Sequence, residues 1–334
     1  MSFVQVQHLT RTFGHGPAAV HAVKDLDFSF AKGEIFGFIG PNGAGKSTTM
    51  RILATLDLPT AGDCLVDGQS TVDDADAVRR LVGYMPDHAN AYPNMTVLEY
   101  LDFFARAYDL SAERRRRQVA DLLEFCQLGG IRDKQATTLS KGMAQRLALG
   151  RCLIHDPALL ILDEPSAGLD PRARIEFREL LRILAGQGKA IFISSHILAE
   201  LEELCHGVAI IEQGRMIATG RVAELKAHLE AGTSDLGQPG EDTGPGAPPR
   251  SGAIIEIRLT EFREDLAQRL AEEPLLSGIQ LDGTRITARI TGGPADHAAL
   301  LRRLVVAGLP VCRFAQREAD LEDLFLHVTE GKVQ

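Results

Sequence analysis

The chain has no tryptophan, and aromatic residues make up only 5% of its 334 positions. Proteins that hold single strands of nucleic acid stack bases on aromatic rings, so this scarcity argues against such a platform. Basic residues are also in short supply: 36 Lys and Arg against 45 Asp and Glu give a net charge of −9. That balance disfavours general attraction to DNA, RNA or anionic lipid and leaves room only for local basic patches. The five cysteines, at 64, 126, 152, 205 and 312, are odd in number, scattered and never in a Cys-x-x-Cys pair. A disulfide framework or zinc site is therefore not expected, and a reducing compartment fits. The longest apolar run, Ala158–Leu162, falls far short of the roughly 20 residues that a membrane-spanning helix needs. Met1–Gln7 alternates apolar and polar residues, without the basic start and apolar stretch of a signal peptide.

An apolar fraction of 45% and a charged fraction of 24% are those of a soluble globular chain, and the length suggests two domains at roughly 150 residues each. Residues 232–252 contain six Gly and four Pro and almost nothing to bury. They read as a flexible linker between a domain at 1–231 and a smaller one at 253–334. In the first part Leu26–Phe30, Glu34–Ile39, Ala158–Leu162, Ala190–Ser194 and Val208–Ile211 read as strands. Helical spacing lies between them at Thr96–Tyr108, Met143–Ile154 and Arg172–Ala185. This alternation predicts an α/β domain with a largely parallel sheet and an antiparallel element near the N-terminus. In the second part, strands at Ile254–Leu259, Ile279–Asp282, Arg285–Thr291 and Val311–Gln316 combine with helices at Glu261–Glu272 and Pro294–Ala307. That order predicts a small α+β domain of ferredoxin-like type, closed by a helix at Leu321–Val328.

Gly40-Pro41-Asn42-Gly43-Ala44-Gly45-Lys46-Ser47 fits G-x-x-x-x-G-K-[ST], between the predicted strand Glu34–Ile39 and a helix over Ser47–Leu56. Glycines let successive backbone N–H groups wrap a polyphosphate, the helix N-terminus adds its dipole, Lys46 reaches the terminal phosphates and Ser47 can ligate Mg²⁺. A chance glycine turn is the alternative, and the strand–loop–helix context weighs against it. Leu159–Leu162 ends in Asp163-Glu164-Pro165. In a phosphate-loop protein a strand-end Asp holds the Mg²⁺ shell, which points to Asp163, and the adjacent Glu164 can activate water as a general base. By itself the pair could equally be a solvated strand end. Leu139-Ser140-Lys141-Gly142-Met143 precedes an amphipathic helix. Ser140 there is either an N-cap or part of an anion site made of backbone donors and a hydroxyl.

Together these segments resemble the ATP-binding subunits of ABC transporters, from Phe3 to about Leu225. The phosphate loop Gly40–Thr48, the signature-like Leu139–Met143, Asp163-Glu164, Ser166–Asp170 and His196 occur in the family's order. The resemblance implies a P-loop NTPase fold of ABC type: a mixed sheet core, a helical signature subdomain and an antiparallel β element. It implies ATP and Mg²⁺ as cofactors, and roles residue by residue. Phe13 stacks on adenine; Gly40, Pro41, Asn42, Gly43, Ala44, Gly45, Lys46, Ser47 and Thr48 hold the phosphates; Ser47 and Asp163 hold the metal. Ser140 and Gly142 contact ATP bound to the opposite subunit, Asp170 links the two sites, and Glu164 and His196 serve the hydrolytic step.

The sequence departs from the family in two places. The signature carries Lys141 and Met143 where Gly and Gln are commonest. Asp87 stands where a glutamine usually touches Mg²⁺ and the membrane partner; it keeps an oxygen but adds a charge and loses a methylene. The run Arg114–Arg117 reads as a solvated helix face, with contact to acidic partner loops or lipid headgroups as the alternative.

Leu139–Met143, Tyr92–Tyr100 and Ala319–Leu326 resemble the ATPases of ABC-2-type exporters, which move drugs, antibiotics, lipids, polysaccharides or ions. The expected function is an ATP-hydrolysing subunit that pairs with a second such subunit around two ATP molecules and drives separate permease chains. The expected location is peripheral, at the cytoplasmic face of the membrane, with no nucleic acid bound. Rival readings are a soluble ABC-type ATPase acting on nucleic acid or ribosomes, and a regulatory nucleotide switch. The short span from Lys46 to Asp163 leaves no room for a long coiled-coil insertion, and the presence of Glu164 argues against a switch without turnover.

Overall fold

The computed structural model describes residues 2–87, 92–231, 253–262, 270, 273–317 and 320–323. The chain forms two compact units, residues 1–222 and 223–334.

In the first unit β1 (Val4–Phe13), β2 (Val20–Phe30), β4 (Ala61–Val66) and β5 (Gln69–Ser70) form an antiparallel sheet of order β2-β1-β4-β5. The near-alternating burial of β2 is that of a strand with one face in water. A second sheet contains β3 (Ile35–Ile39), β6 (Val82–Met85), β7 (Leu159–Leu162), β8 (Ala190–Ser194), β9 (Gly207–Glu212) and β10 (Arg215–Arg221). Its order is β10-β9-β3-β8-β7-β6, parallel except for the β9–β10 pair. Strands β3, β7 and β8 are buried along their whole length, as parallel strands covered on both faces must be. The Lys32-Gly33 turn joins strands of different sheets, so β2 and β3 do not form a hairpin. Phe28 and Phe30 of one sheet stack on Phe36 of the other, at centroid distances of 5.5 and 5.0 Å. Aromatics scarce in the chain are thus concentrated where the sheets meet, each burying a large apolar area.

Helix α1 (Lys46–Leu53) follows β3, and α2 (Ala75–Leu81) precedes β6. A helical segment between β6 and β7 holds α3 (Val97–Ala107), α4 (Ala112–Phe125) and α5 (Lys141–Cys152). A reciprocal capping box between Thr96 and Glu99 starts α3. Arg114, Arg116 and Arg117 are exposed on α4 as expected. Arg115 corrects the reading of a wholly solvated run: it turns inward to Asp102 of α3 at 2.7 Å. Helices α6 (Pro171–Gly186) and α7 (Leu198–Leu204) flank β8, and α8 (Val222–Ala231) follows β10.

The second unit contains β11 (Ala253–Leu259), β12 (Leu276–Asp282), β13 (Arg285–Ile290), α9 (Pro294–Val306) and β14 (Val311–Arg317). The sheet is antiparallel, of order β12-β13-β11-β14. This is the strand arrangement of the ferredoxin-like split β-α-β. Ile255, Ile257, Ile286, Ala288 and Ile290 on one sheet face pack against Leu300 and Leu304 of α9. Of the expected helix at Glu261–Glu272 only Glu261 and Phe262, which are not helical, and Leu270, which is, are described; the rest, most of the closing helix at Leu321–Val328 and the expected linker lie outside the described residues.

Candidate active site

Three neighbouring parallel strands, β3, β8 and β7, end side by side and deliver the candidate residues from their carboxyl ends, where open α/β sheets build their ligand crevices. After β3 the chain turns through Gly40–Gly45 into α1. The turn requires glycine for two separate reasons. A Cβ on Gly40 would stand 2.4 Å from the carbonyl oxygen of Ile211, and Gly45 has φ +105° with its Cβ position 2.4 Å from the Ala22 oxygen. Pro41, Asn42 and Gly43 are exposed, Ala44 is buried, Ser47 is exposed and Thr48 half-buried in the first turn of α1. Lys46 is buried, and its Nζ donates to the carbonyls of Gly40 at 2.6 Å and Pro41 at 3.3 Å. Burial pulls its pKa below the ordinary lysine value, while the Glu164 and Asp163 carboxylates act in the opposite direction.

Asp163 and Glu164 stand at the end of β7. Asp163 is buried, and the Ser194 hydroxyl donates to its Oδ1 at 2.7 Å. The same hydroxyl oxygen accepts the backbone N–H of Glu164 at 2.9 Å. Among the described residues Asp163 has no ion-pair partner. A buried carboxylate with no ion pair, together with the exposed hydroxyl of Ser47 at the start of α1, offers the oxygen donors that a hard divalent cation such as Mg²⁺ takes. Glu164 adopts φ +47°, a conformation that costs energy for a side chain with a Cβ and persists where the surroundings impose it. Its Oε1 lies 4.0 Å from Lys46 Nζ and its Oε2 lies 2.7 Å from Nδ1 of His196.

The remaining candidates form other groups. Ser140 caps α5, accepting from Met143 N at 3.4 Å, and Asp170 caps α6, accepting from Ala173 N at 2.8 Å. A Cβ on Gly142 would meet Ala173 Cβ at 3.3 Å, and the Lys141 ammonium lies over Gly168. The signature-like segment and the Ser166–Asp170 loop therefore pack on each other. Ala167 of that loop donates its backbone N–H to the Glu164 carbonyl at 3.1 Å, but among the described residues no side-chain hydrogen bond or ion pair joins this group to Lys46, Glu164 or His196. Phe13 ends β1, 40% exposed, and the Arg11 guanidinium lies 4.4 Å from the ring centroid. Asp87 is exposed after β6 and is one of the charges, with Asp163, that add to burial in pushing the Tyr84 hydroxyl up to about 12.

Two residues of the site had no place in the sequence-based set. Ser194 ties Asp163 to Glu164, and a hydroxyl two positions before the strand-end histidine was its only signal. Arg11 covers one face of Phe13; its spacing of two along β1 puts both side chains on one strand face.

A family model described as "ABC transporter" matches residues 23–167. Over 313 residues the chain is 37% identical to "Nod factor export ATP-binding protein I" of Paraburkholderia xenovorans, covering 93% of each chain. The chain belongs to the ABC transporter ATP-binding subunits. The ABC subunit of the same description from Cupriavidus pinatubonensis is 42% identical over 307 residues, covering 92% of this chain and 86% of that protein. Among solved structures, an ATP-binding subunit of an ABC transporter superposes with a TM-score of 0.61 at 31% identity. It covers 68% of this chain and 93% of its own. A dimeric ATP-binding cassette in a post-hydrolysis state, bound to ADP and Pi, gives 0.60 at 27% identity over 65% of this chain and 98% of its own. The chain is thus an ABC ATPase, and its fold is the ABC cassette with a further α+β unit.

Proposed function

We propose that this ABC ATPase pairs with a second copy around two ATP molecules and drives a separate membrane permease of the ABC-2 exporter type. The observation that carries the hydrolytic part is the Glu164 carboxylate, set between Lys46 and His196 at the end of β7. In this reading the backbone N–H groups of Gly40–Thr48 and the Lys46 ammonium bind the phosphates, and Phe13 offers its free face to adenine. Ser47 and Asp163 would hold Mg²⁺, which would supply charge neutralisation to the phosphates. Glu164 orients the attacking water and takes its proton as the new O–P bond forms and the bond to the β-phosphate oxygen breaks. His196 holds Glu164 in place and in this reading also meets the γ-phosphate. Catalysis here is mostly positioning and charge stabilisation.

Each chain carries one phosphate loop and one signature segment, and among the described residues no hydrogen bond or ion pair joins Ser140, Gly142 or Asp170 to Lys46. Two chains facing each other give two complete sites, and the dimeric cassette among the solved neighbours supports that arrangement. Among the described residues no helix is long and apolar enough to cross a membrane, so in this reading other chains supply the pore. The export named in the description of the Paraburkholderia relative, matched across 93% of this chain, supports the direction. The subunit then sits at the cytoplasmic membrane face, held by the permease.

The test is purification from native membranes in mild detergent. The reading expects a co-purifying polytopic membrane protein that stimulates ATP hydrolysis on reconstitution. Co-purification with ribosomes or nucleic acid, without such a protein, would contradict it.

A further inference from the structure

The C-terminal sheet carries a row of three arginines in register across three adjacent strands. Arg258 of β11 stands directly opposite Arg285 of β13 on one side and Arg313 of β14 on the other. All three lie on the face away from α9, alternating with Ile257, Ile286 and Phe314, which belong to or pack on the core. Like charges directly opposite one another in a sheet are destabilising, so this row works against the fold that displays it.

Among the described residues one carboxylate lies beneath the row. Glu256, two residues before Arg258, is only 4% exposed. Its Oε2 receives Arg285 Nε at 2.8 Å and Nη2 at 2.5 Å. Its Oε1 accepts no hydrogen bond and lies 3.5 Å from Arg313 and 4.0 Å from Arg258. Burial works against this charge, yet the surrounding guanidinium groups hold the Glu256 pKa below the usual carboxylate value. The neighbouring Arg317 pairs with Asp320 and Asp323, with Glu256 as a weaker attraction. Among the described residues the row therefore sets three cations against one anion, and its side chains remain 47–58% exposed.

We propose that Arg285, Arg258 and Arg313 form a binding site for a phosphate-bearing anion on the C-terminal unit. The buried Glu256 holds the Arg285 fork by hydrogen bonds and attracts the other two guanidinium groups at longer range, which leaves their donors for a ligand. Guanidinium forks match phosphate oxygens in pairs, and the excess of two positive charges equals the charge of a phosphoryl dianion. Adjacent strands lie roughly 4.8 Å apart, so the row spans about 10 Å. That length suits one phosphate or a diphosphate and is too short to track a nucleic acid strand. The phosphate could belong to a soluble molecule or to a lipid headgroup; both present the same chemistry.

The experiment uses the full chain, with Arg258→Gln and Arg313→Gln as the main variants and Arg258→Lys as the conservative one. Neither position belongs to the ATPase machinery, so basal ATP hydrolysis is the control and should not change. Calorimetric titration with inorganic pyrophosphate reads the soluble arm. Binding at the phosphate loop is common to all the proteins, so differences report the arginine row. Flotation with phosphatidylcholine vesicles, with and without phosphatidylglycerol, reads the lipid arm. We expect one class of pyrophosphate sites to weaken about tenfold or more in each Gln variant, the scale of one lost charged hydrogen bond. Arg258→Lys, which keeps the charge and loses the fork, should fall between. Retained pyrophosphate affinity with lost binding to the anionic vesicles assigns the site to a headgroup. Without ligand, Arg258→Gln should melt no lower than the parent, because it relieves two like-charge pairs. Unchanged binding in both arms overturns the proposal, and a lower melting temperature with unchanged binding assigns the row to structural support of Glu256.

Discussion

Glu164 and His196 are joined by a hydrogen bond of 2.7 Å between Oε2 and Nδ1. A carboxylate only accepts, so Nδ1 donates, which fixes the tautomer: in a neutral ring Nε2 is left as an acceptor. His196 thus orients the base from one side while the Lys46 ammonium faces it from the other. Strand β8 places the imidazole and β7 the carboxylate, and the Ser194 hydroxyl ties the two strand ends together.

His196→Ala removes that orientation without touching the phosphate loop. A lost hydrogen bond to a charged group corresponds to a rate loss of about tenfold or more. We expect kcat to fall by that factor while the Kd for ATP stays within about threefold. Steady-state ATPase kinetics together with a fluorescent-ATP titration separate the two; a loss confined to affinity would show that His196 serves binding.

Lys46→Ala should act on binding itself. The ammonium is buried and bridges the Gly40 and Pro41 carbonyls, so its removal takes away both a charge aimed at the phosphates and a brace of the loop. Charge-assisted hydrogen bonds to phosphate are the strong ones, and affinity for ATP should drop by about tenfold or more. A titration showing parent affinity would remove the loop from the site.

The contiguous part of this site was legible in the sequence because its chemistry is local. Eight successive residues make the phosphate loop, and two adjacent carboxylates follow one apolar run. Ser194 was not legible, since its role exists only because β7 and β8 pair in register. Nor was the sheet order, in which β3 inserts between β8 and β9 from far along the chain. Alternation marked Ile254–Leu259 as a strand, but the alignment of Arg258 with Arg285 and Arg313 depends on pairing register. Lys141 and Asp87 were visible as departures; that Lys141 lies over Gly168 was not, because the signature segment and the Ser166–Asp170 loop meet only in three dimensions.

His155 gives the fold a pH dependence of known sign. Its ring stacks on Tyr108 at 4.0 Å, and Nε2 donates to the Val82 carbonyl at 3.0 Å. Burial holds its pKa below the ordinary histidine value, outweighing the opposing hydrogen bond. The unfolded chain therefore binds a proton more readily, and stability falls as the pH drops below about 6.5, until the folded-state pKa is reached. Denaturant titrations at pH 7.5 and 5.5 should show a smaller loss for His155→Gln than for the parent. The difference is bounded at about 1.4 kcal/mol per pH unit, and equal losses would place the acid sensitivity elsewhere.

The central claim is that Glu164 is the base of an ATPase whose sites are completed by a second copy. Its most direct test is Glu164→Gln, followed by ATP binding, hydrolysis rate and size-exclusion chromatography with and without Mg-ATP. The account predicts parent-like affinity, hydrolysis slowed by about 10²–10⁴ as expected for loss of a general base, and a dimer that appears only with ATP. A variant that binds ATP yet hydrolyses it at the parent rate, or stays monomeric with ATP bound, would contradict it.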